Sequence, residues 1–250
     1  MSSDPLPVAI NNVCWNEEGH YYRIRNEALI AEIVRDVRAG HYCTVLGPPY
    51  CQKSDLLDDV KQRLQDTGNE VCVLLDLKQI DDDDEEGFLK GFAARFEQEA
   101  RGITGVTSLV LADMVTNEAA LLHFFEECLD VIRCDIVLLL DHLERVHIGP
   151  LSALLRVLRG LFSGRTAEAG YRVGVVTANA LSTASLALGP TSPFNIARIK
   201  LVEDLTPQQS SELISYMASQ KELAMEPAAL ERCIRATGGD RYLIPKLCER

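Results

Sequence analysis

The sequence is short of several things, and each shortage excludes a class of function. No run of about 18 apolar residues occurs, so no transmembrane helix is expected. The segment from Met1 to Ile10 has neither a basic n-region nor an apolar h-region, so no signal peptide is expected. Basic residues are outnumbered, 25 Lys+Arg against 37 Asp+Glu, for a formal net charge of −12. That balance argues against a dedicated nucleic-acid binder, which neutralises phosphates with clustered Lys and Arg. It also argues against an anionic membrane surface. The eight cysteines include no C-x-x-C pair, and none is followed by a metal-spaced pair of histidines. They read as reduced thiols in a cytoplasmic setting rather than a disulfide scaffold or zinc site. There is no G-x-S-x-G elbow for a serine hydrolase, no internal repeat and no low-complexity linker.

What is present is ordinary globular composition, 47% apolar and 25% charged over 250 residues, enough chain to bury a core without cross-links. Short apolar runs alternate with helical patterns. Strands are predicted at His41–Leu46, Glu70–Asp76, Asp135–Asp141, Arg172–Thr177 and Arg198–Val202. Between them lie helices at Lys53–Thr67, Asp84–Arg101 and Asn117–Val131, and one opened by Pro150. DIVLLLD is apolar without interruption, as expected of a strand buried on both faces. Phe88, Phe92 and Phe96 stand at helical spacing and read as core. The acidic run Asp81–Glu86 reads as a solvated lead into a helix N-terminus, where carboxylates suit the helix dipole. Strands alternating with helices predict an α/β fold with a parallel sheet. After Leu205 the pattern turns wholly helical, opened by Thr206 as N-cap and Pro207 at the first helical position. The expected organisation is a lead-in segment over 1–25, an α/β core over 26–204 and a helical subdomain over 205–250.

The first strand-to-helix turn carries the chemistry: Leu46-Gly47-Pro48-Pro49-Tyr50-Cys51-Gln52-Lys53-Ser54. A phosphate-binding loop reads G-x-x-x-x-G-K-[S/T] between a strand and a helix. Gly47, Lys53 and Ser54 stand at the right offsets, so backbone N–H groups and a helix N-terminus would face an anion. The lysine would supply charge to the β/γ-phosphates, and the hydroxyl would reach Mg²⁺. Gln52 stands where the second glycine belongs. A side chain there costs about 1–2 kcal/mol if φ is positive. Asp141 ends the DIVLLLD strand, where phosphate-loop NTPases place the aspartate that holds Mg²⁺. His142 follows it in place of the usual acid, and Glu144 lies three residues beyond Asp141. Asn179, at the polar end of the next strand, is a candidate sensor of the γ-phosphate. Cys51, beside Lys53 at a helix N-terminus, is a candidate redox-sensitive thiol.

The order of these pieces resembles the AAA-like ATPase domain of the signal-transduction ATPases with numerous domains, the STAND group. The resemblance is carried by Tyr21–Arg25, by Ser192-Pro193-Phe194-Asn195-Ile196-Ala197-Arg198, by Leu205-Thr206-Pro207, and by Thr237-Gly238-Gly239-Asp240-Arg241-Tyr242-Leu243-Ile244-Pro245-Lys246-Leu247-Cys248. It covers about Tyr21 to Arg250. It implies a five-stranded parallel sheet with a C-terminal helical lid, with ATP or ADP and Mg²⁺ between the Gly47–Ser54 loop and that lid. The implied nucleotide-binding set is Gly47, Pro48, Cys51, Gln52, Lys53, Ser54, Asn179, Arg198 and Arg241, with Ser54 and Asp141 on Mg²⁺ and Asp141, His142 and Glu144 as catalytic candidates. Three positions depart from the pattern: Gln52 for glycine, His142 for an acid, and Arg241 for the proline that packs near the base.

Two functions follow. One is a nucleotide-dependent signalling and oligomerisation switch with slow or absent hydrolysis, working with fused or separate protein domains. The other is a pseudo-ATPase scaffold that keeps the fold for protein contacts alone.

Overall fold

The computed structural model describes residues 13–16, 21–68, 70–81, 83–105, 112–164, 170–180 and 195–249. The segment 1–10, Asp82 of the acidic run and residues 192–194 of the resemblance lie outside the described residues. Contacts divide the chain into two compact units. One comprises Ala28–Pro49 with Lys53–Val202; the other comprises Met1–Glu27, Tyr50–Gln52 and Glu203–Arg250.

The larger unit is built on five parallel strands: β3 (Cys43–Gly47), β4 (Val71–Asp76), β5 (Ile136–Asp141), β6 (Val173–Ala180) and β7 (Arg198–Leu201). Their spatial order is β4-β5-β6-β3-β7. All five predicted strands are present, flanked by helices α1 (Glu27–Arg38), α2 (Lys53–Thr67), α3 (Glu85–Thr104), α4 (Glu118–Ile132) and α5 (Ile148–Ser163). Every residue of β5 is buried, which explains its unbroken apolar run. Phe88, Phe92 and Phe96 of α3 are fully buried. Phe96 meets Phe124 and Phe125 of α4 edge-on, with centroids 5.8 and 5.1 Å apart, an arrangement that suits the ring quadrupoles. Asp84 caps α3 by accepting from the Gly87 amide at 2.7 Å, and Glu85 and Glu86 fill its first turn, so this part of the acidic run serves the helix start.

Register aligns the carboxyl ends of the strands. Asp76 pairs with Asp141, Leu46 with Asn179, and Gly47 with Ala180. In open α/β sheets, ligands bind outside this edge.

The smaller unit joins an antiparallel pair, β1 (Val13–Asn16) and β2 (Tyr21–Ile24), to helices α6 (Pro207–Gln220), α7 (Pro227–Thr237) and α8 (Leu243–Glu249). Ile24, Leu205, Leu213, Ile214, Met217 and Ile244 form its core. Thr206 and Gln209 close a full capping box on α6, with Pro207 in the first turn, as the sequence predicts. The β1–β2 pair is not legible in the sequence, because strands of four residues are too short to establish an alternation. Among the described residues no helix is long and apolar enough to cross a membrane. None of the eight cysteines is in a disulfide. Burial pushes the thiols of Cys43, Cys72 and Cys128 up to about 12, which leaves them inert small hydrophobes.

Candidate functional site

The loop from Gly47 to Ser54 leaves the carboxyl end of β3 and enters α2 at Lys53. Its backbone is unusual. Tyr50 has φ +64° and Gln52 has φ +67°, both left-handed, whereas Cys51 and Lys53 stay on the ordinary side. Gln52 is followed by Lys53, the right-handed first residue of α2, and neighbouring residues of opposite hand turn their N–H groups toward one point, as in an anion-binding nest. Gln52 therefore adopts the conformation expected of the glycine it replaces. Each such residue costs about 1–2 kcal/mol without compensation.

The Lys53 ammonium donates to the carbonyls of Pro48 at 2.7 Å and Gly47 at 3.2 Å. It lies over the loop that would hold a phosphate. Ser54 is exposed on the first turn of α2. Cys51 is 5% exposed, which deprives it of the access that a redox-sensitive thiol needs.

On β6, Asn179 is buried and donates to Thr177 Oγ1 at 3.1 Å; Thr177 in turn shares a hydrogen bond with Thr44 Oγ1 at 3.0 Å. This chain of polar groups crosses from β6 to β3 beneath the start of the loop.

At the end of β5, Asp141 is buried and accepts the amide of His142 at 2.8 Å. His142 is itself left-handed at φ +59°. Its Nδ1 lies 3.0 Å from Asp76 Oδ1 and 3.4 Å from Asp141 Oδ2. The nitrogen is buried and makes no hydrogen bond with either carboxylate, so the contact is one of proximity. Sequence reasoning alone does not single out Asp76. Its one signal is its position, a carboxylate ending the strand next to β5. Glu144 is exposed on the turn after β5.

Two arginine candidates remain, of which only Arg241 meets the loop, at Gln52. Arg198 begins β7 beside Cys43, at the amino end of the strands, and reaches Asp36 at 2.5 Å and His41 Nε2 at 2.8 Å. It is three residues of register away from the carboxyl edge, where Leu201 pairs with Leu46. Arg241 belongs to the smaller unit, is 6% exposed, and donates to the carbonyls of Glu203 at 2.8 Å and Ile24 at 3.3 Å. Burial draws its pKa below the ordinary range, against the opposing pull of Cys51 and Asp204. In place of a proline, the chain has an arginine that ties β2 to the segment leading into α6. The structure thus brings together Gly47, Lys53, Ser54, Asp141, His142 and Asn179 on one edge of the sheet, and leaves Arg198 off it.

Among the described residues no group of three His, Cys, Asp or Glu side chains is arranged as a metal cage. The donor set of Ser54 and Asp141 suits Mg²⁺, which keeps most of its shell as water and phosphate oxygens and takes few protein ligands. The nest and Lys53 suit a polyphosphate.

A family model described as AAA-like domain matches residues 15–248. No curated protein sequence matches the chain. Among solved structures, a Walker-type ATPase of Pyrococcus abyssi superposes with TM-score 0.63 at 14% identity, over 88% of this chain and 65% of that one. The RuvB Holliday junction branch migration motor of Thermotoga maritima gives 0.53 at 15%, over 90% and 61%. The Orc1 protein of Aeropyrum pernix, in complex with DNA, gives 0.56 at 13%, over 96% and 60%. The chain spans less than two thirds of each of these structures, and at such identities the likeness is one of fold.

Proposed function

The chain belongs to the AAA-like domain family, and on that premise we propose that it is a Mg²⁺·ATP-binding regulatory domain of the STAND type, a nucleotide-dependent switch with slow or absent hydrolysis. The observation that carries the reading is the pair of left-handed residues, Tyr50 and Gln52, in the loop that enters α2 at Lys53. A scaffold with a vestigial site has no need of two side chains held in a costly backbone region. The loop amides and Lys53 would bear the β- and γ-phosphates, Ser54 and Asp141 would hold Mg²⁺, and Asn179 would stand near the γ-phosphate. Mg²⁺, when bound, neutralises charge on the phosphates. STAND membership rests on the irregular segments Ser192–Arg198 and Thr237–Cys248.

Slow turnover follows from the residue after Asp141. His142 replaces the acid that polarises the attacking water, and it is drawn between Asp76 and Asp141. Protein partners, fused domains or a second copy of the chain would read the bound state. The net charge of −12 favours protein over DNA as partner, although one structural neighbour is bound to DNA. The pseudo-ATPase scaffold is the second reading, favoured by the His142 substitution alone.

Gel filtration of the folded chain with Mg²⁺·ATP, with Mg²⁺·ADP and without nucleotide tests the switch. A nucleotide-dependent change in size, absent in Lys53→Ala, is expected. Identical profiles together with no ATP binding would establish the scaffold instead.

A further inference from the structure

Gln52 and Arg241 depart from the family pattern 189 positions apart in sequence, yet they are in contact. Gln52 Nε2 donates to the Arg241 carbonyl at 3.1 Å. Next to it, the rings of Tyr50 and Tyr242 pack with centroids 5.0 Å apart and planes tilted by 30°. So each of the two left-handed residues of the loop is held by a side-chain contact to the same short segment, Arg241-Tyr242.

That segment is itself fixed. Asp240 Oδ1 accepts from the amides of Tyr242 and Leu243, both at 2.8 Å, closing the turn into α8. The Asp240 amide donates to Thr237 O at 3.0 Å. The Arg241 guanidinium, buried, holds the carbonyls of Glu203 and Ile24. A strained backbone persists only where its surroundings hold it, and here the anchored Arg241 carbonyl holds Gln52, while the exposed ring of Tyr242, on a backbone fixed by Asp240, packs against Tyr50.

We propose that Gln52, Tyr50, Arg241 and Tyr242 form a brace that holds the loop in its anion-binding conformation, in place of the conformational freedom a glycine would provide. Gln52 and Tyr50 are positioning residues, acting through the direction of the loop amides. The two departures from the family pattern are then one compensated change. The ligand class is the polyphosphate of a nucleoside triphosphate, so the proposal rests on the nucleotide-binding reading.

The test uses the full chain and four variants: Gln52→Ala, Gln52→Gly, Tyr242→Ala, and Gln52→Gly with Tyr242→Ala. Two readouts are taken: Mg²⁺·ATP affinity by calorimetry, and amide hydrogen exchange over Tyr50–Lys53 without nucleotide. Gln52→Ala removes the amide but keeps the left-handed requirement, so affinity should fall about 5- to 10-fold and exchange should quicken. Gln52→Gly should recover the affinity that Gln52→Ala loses. Tyr242→Ala should weaken binding about 3- to 10-fold, and by less when residue 52 is glycine. If Gln52→Ala, Tyr242→Ala and wild type agree in both readouts, the brace is refuted while nucleotide binding stands. If wild type binds no ATP but exchange over Tyr50–Lys53 still quickens in both single variants, the brace stands and the nucleotide reading fails.

Discussion

Two stretches of the smaller unit each hold two left-handed residues, and they reach that backbone by opposite means. The turn after α7 uses Gly238 and Gly239, at φ +61° and +89°. The loop after β3 uses Tyr50 and Gln52, at +64° and +67°. Glycine adopts such angles without steric penalty, so the first turn needs no outside support. The second bears side chains and is held by contacts. Of the other non-glycine residues with positive φ among those described, Arg133 caps the end of α4, Glu222 follows the end of α6, and His142 follows Asp141. Helix ends account for the first two. Among the described residues, left-handed side chains away from a helix C-terminus fall only in the loop and beside Asp141, which is where a functional reading of strain would look.

Substitutions can break this comparison. The largest effect is expected at Gly239. A Cβ there would lie 2.2 Å from the Leu205 carbonyl oxygen, so Gly239→Ala adds a backbone clash to the left-handed cost. About 3–5 kcal/mol of stability should be lost, read from the urea midpoint. If the loss is below about 1 kcal/mol, the close approach of Gly239 to Leu205 is wrong.

The next effect sets charge against conformation. Asp36, 1% exposed, meets Lys200 and Arg198, each at 2.5 Å. Burial alone would raise the Asp36 carboxyl, but Lys200 and Arg198 outweigh it and hold the carboxyl below its ordinary value. A carboxyl depressed in the folded state stabilises the fold above its unfolded pKa of about 3.9, and that contribution fades as pH falls through the folded value. Lys200 behaves in the mirror sense. Burial opposes its charge, but Asp36 and Glu32 raise its pKa, so its contribution is full below about 10.4 and fades only in alkali. Asp36→Asn should therefore lose about 2–4 kcal/mol at about pH 7 and show a flatter acid limb than wild type below about pH 4. Parallel acid limbs would contradict the ion-pair assignment.

Gly238→Ala comes third. Nothing lies within 4 Å of a Cβ there, so only the left-handed cost of about 1–2 kcal/mol should appear. A gap between Gly238→Ala and Gly239→Ala separates angle from space. The smallest effect is expected at Arg156, whose forked contact with Glu118 is about half exposed. Arg156→Ala should cost less than about 1 kcal/mol, further reduced in high salt.

The strands, most helices and the core were legible because burial on two faces writes itself as unbroken apolar runs, and burial on one face as helical spacing. Ile136–Asp141 shows the first, and Phe88, Phe92 and Phe96 show the second. The loop after β3 was legible through Gly47, Lys53 and Ser54. The backbone of Gln52 was not, because a residue's identity shows what a conformation costs and not what offsets it. Gln52 and Arg241 read as separate losses, and only the fold places the amide of one on the carbonyl of the other. Asp76 was illegible for a similar reason: strand order, which sequence does not state, puts β4 beside β5. Arg198 was carried by resemblance alone, and register sets it at the other end of the strands.

The central claim, that the loop still binds a nucleotide despite Gln52, is tested most directly by calorimetric titration of Mg²⁺·ATP into wild type and Lys53→Ala. Micromolar binding by wild type, weakened about 100-fold or more in Lys53→Ala, is the predicted result. No binding by a folded wild-type chain, or equal binding by the two proteins, would contradict it.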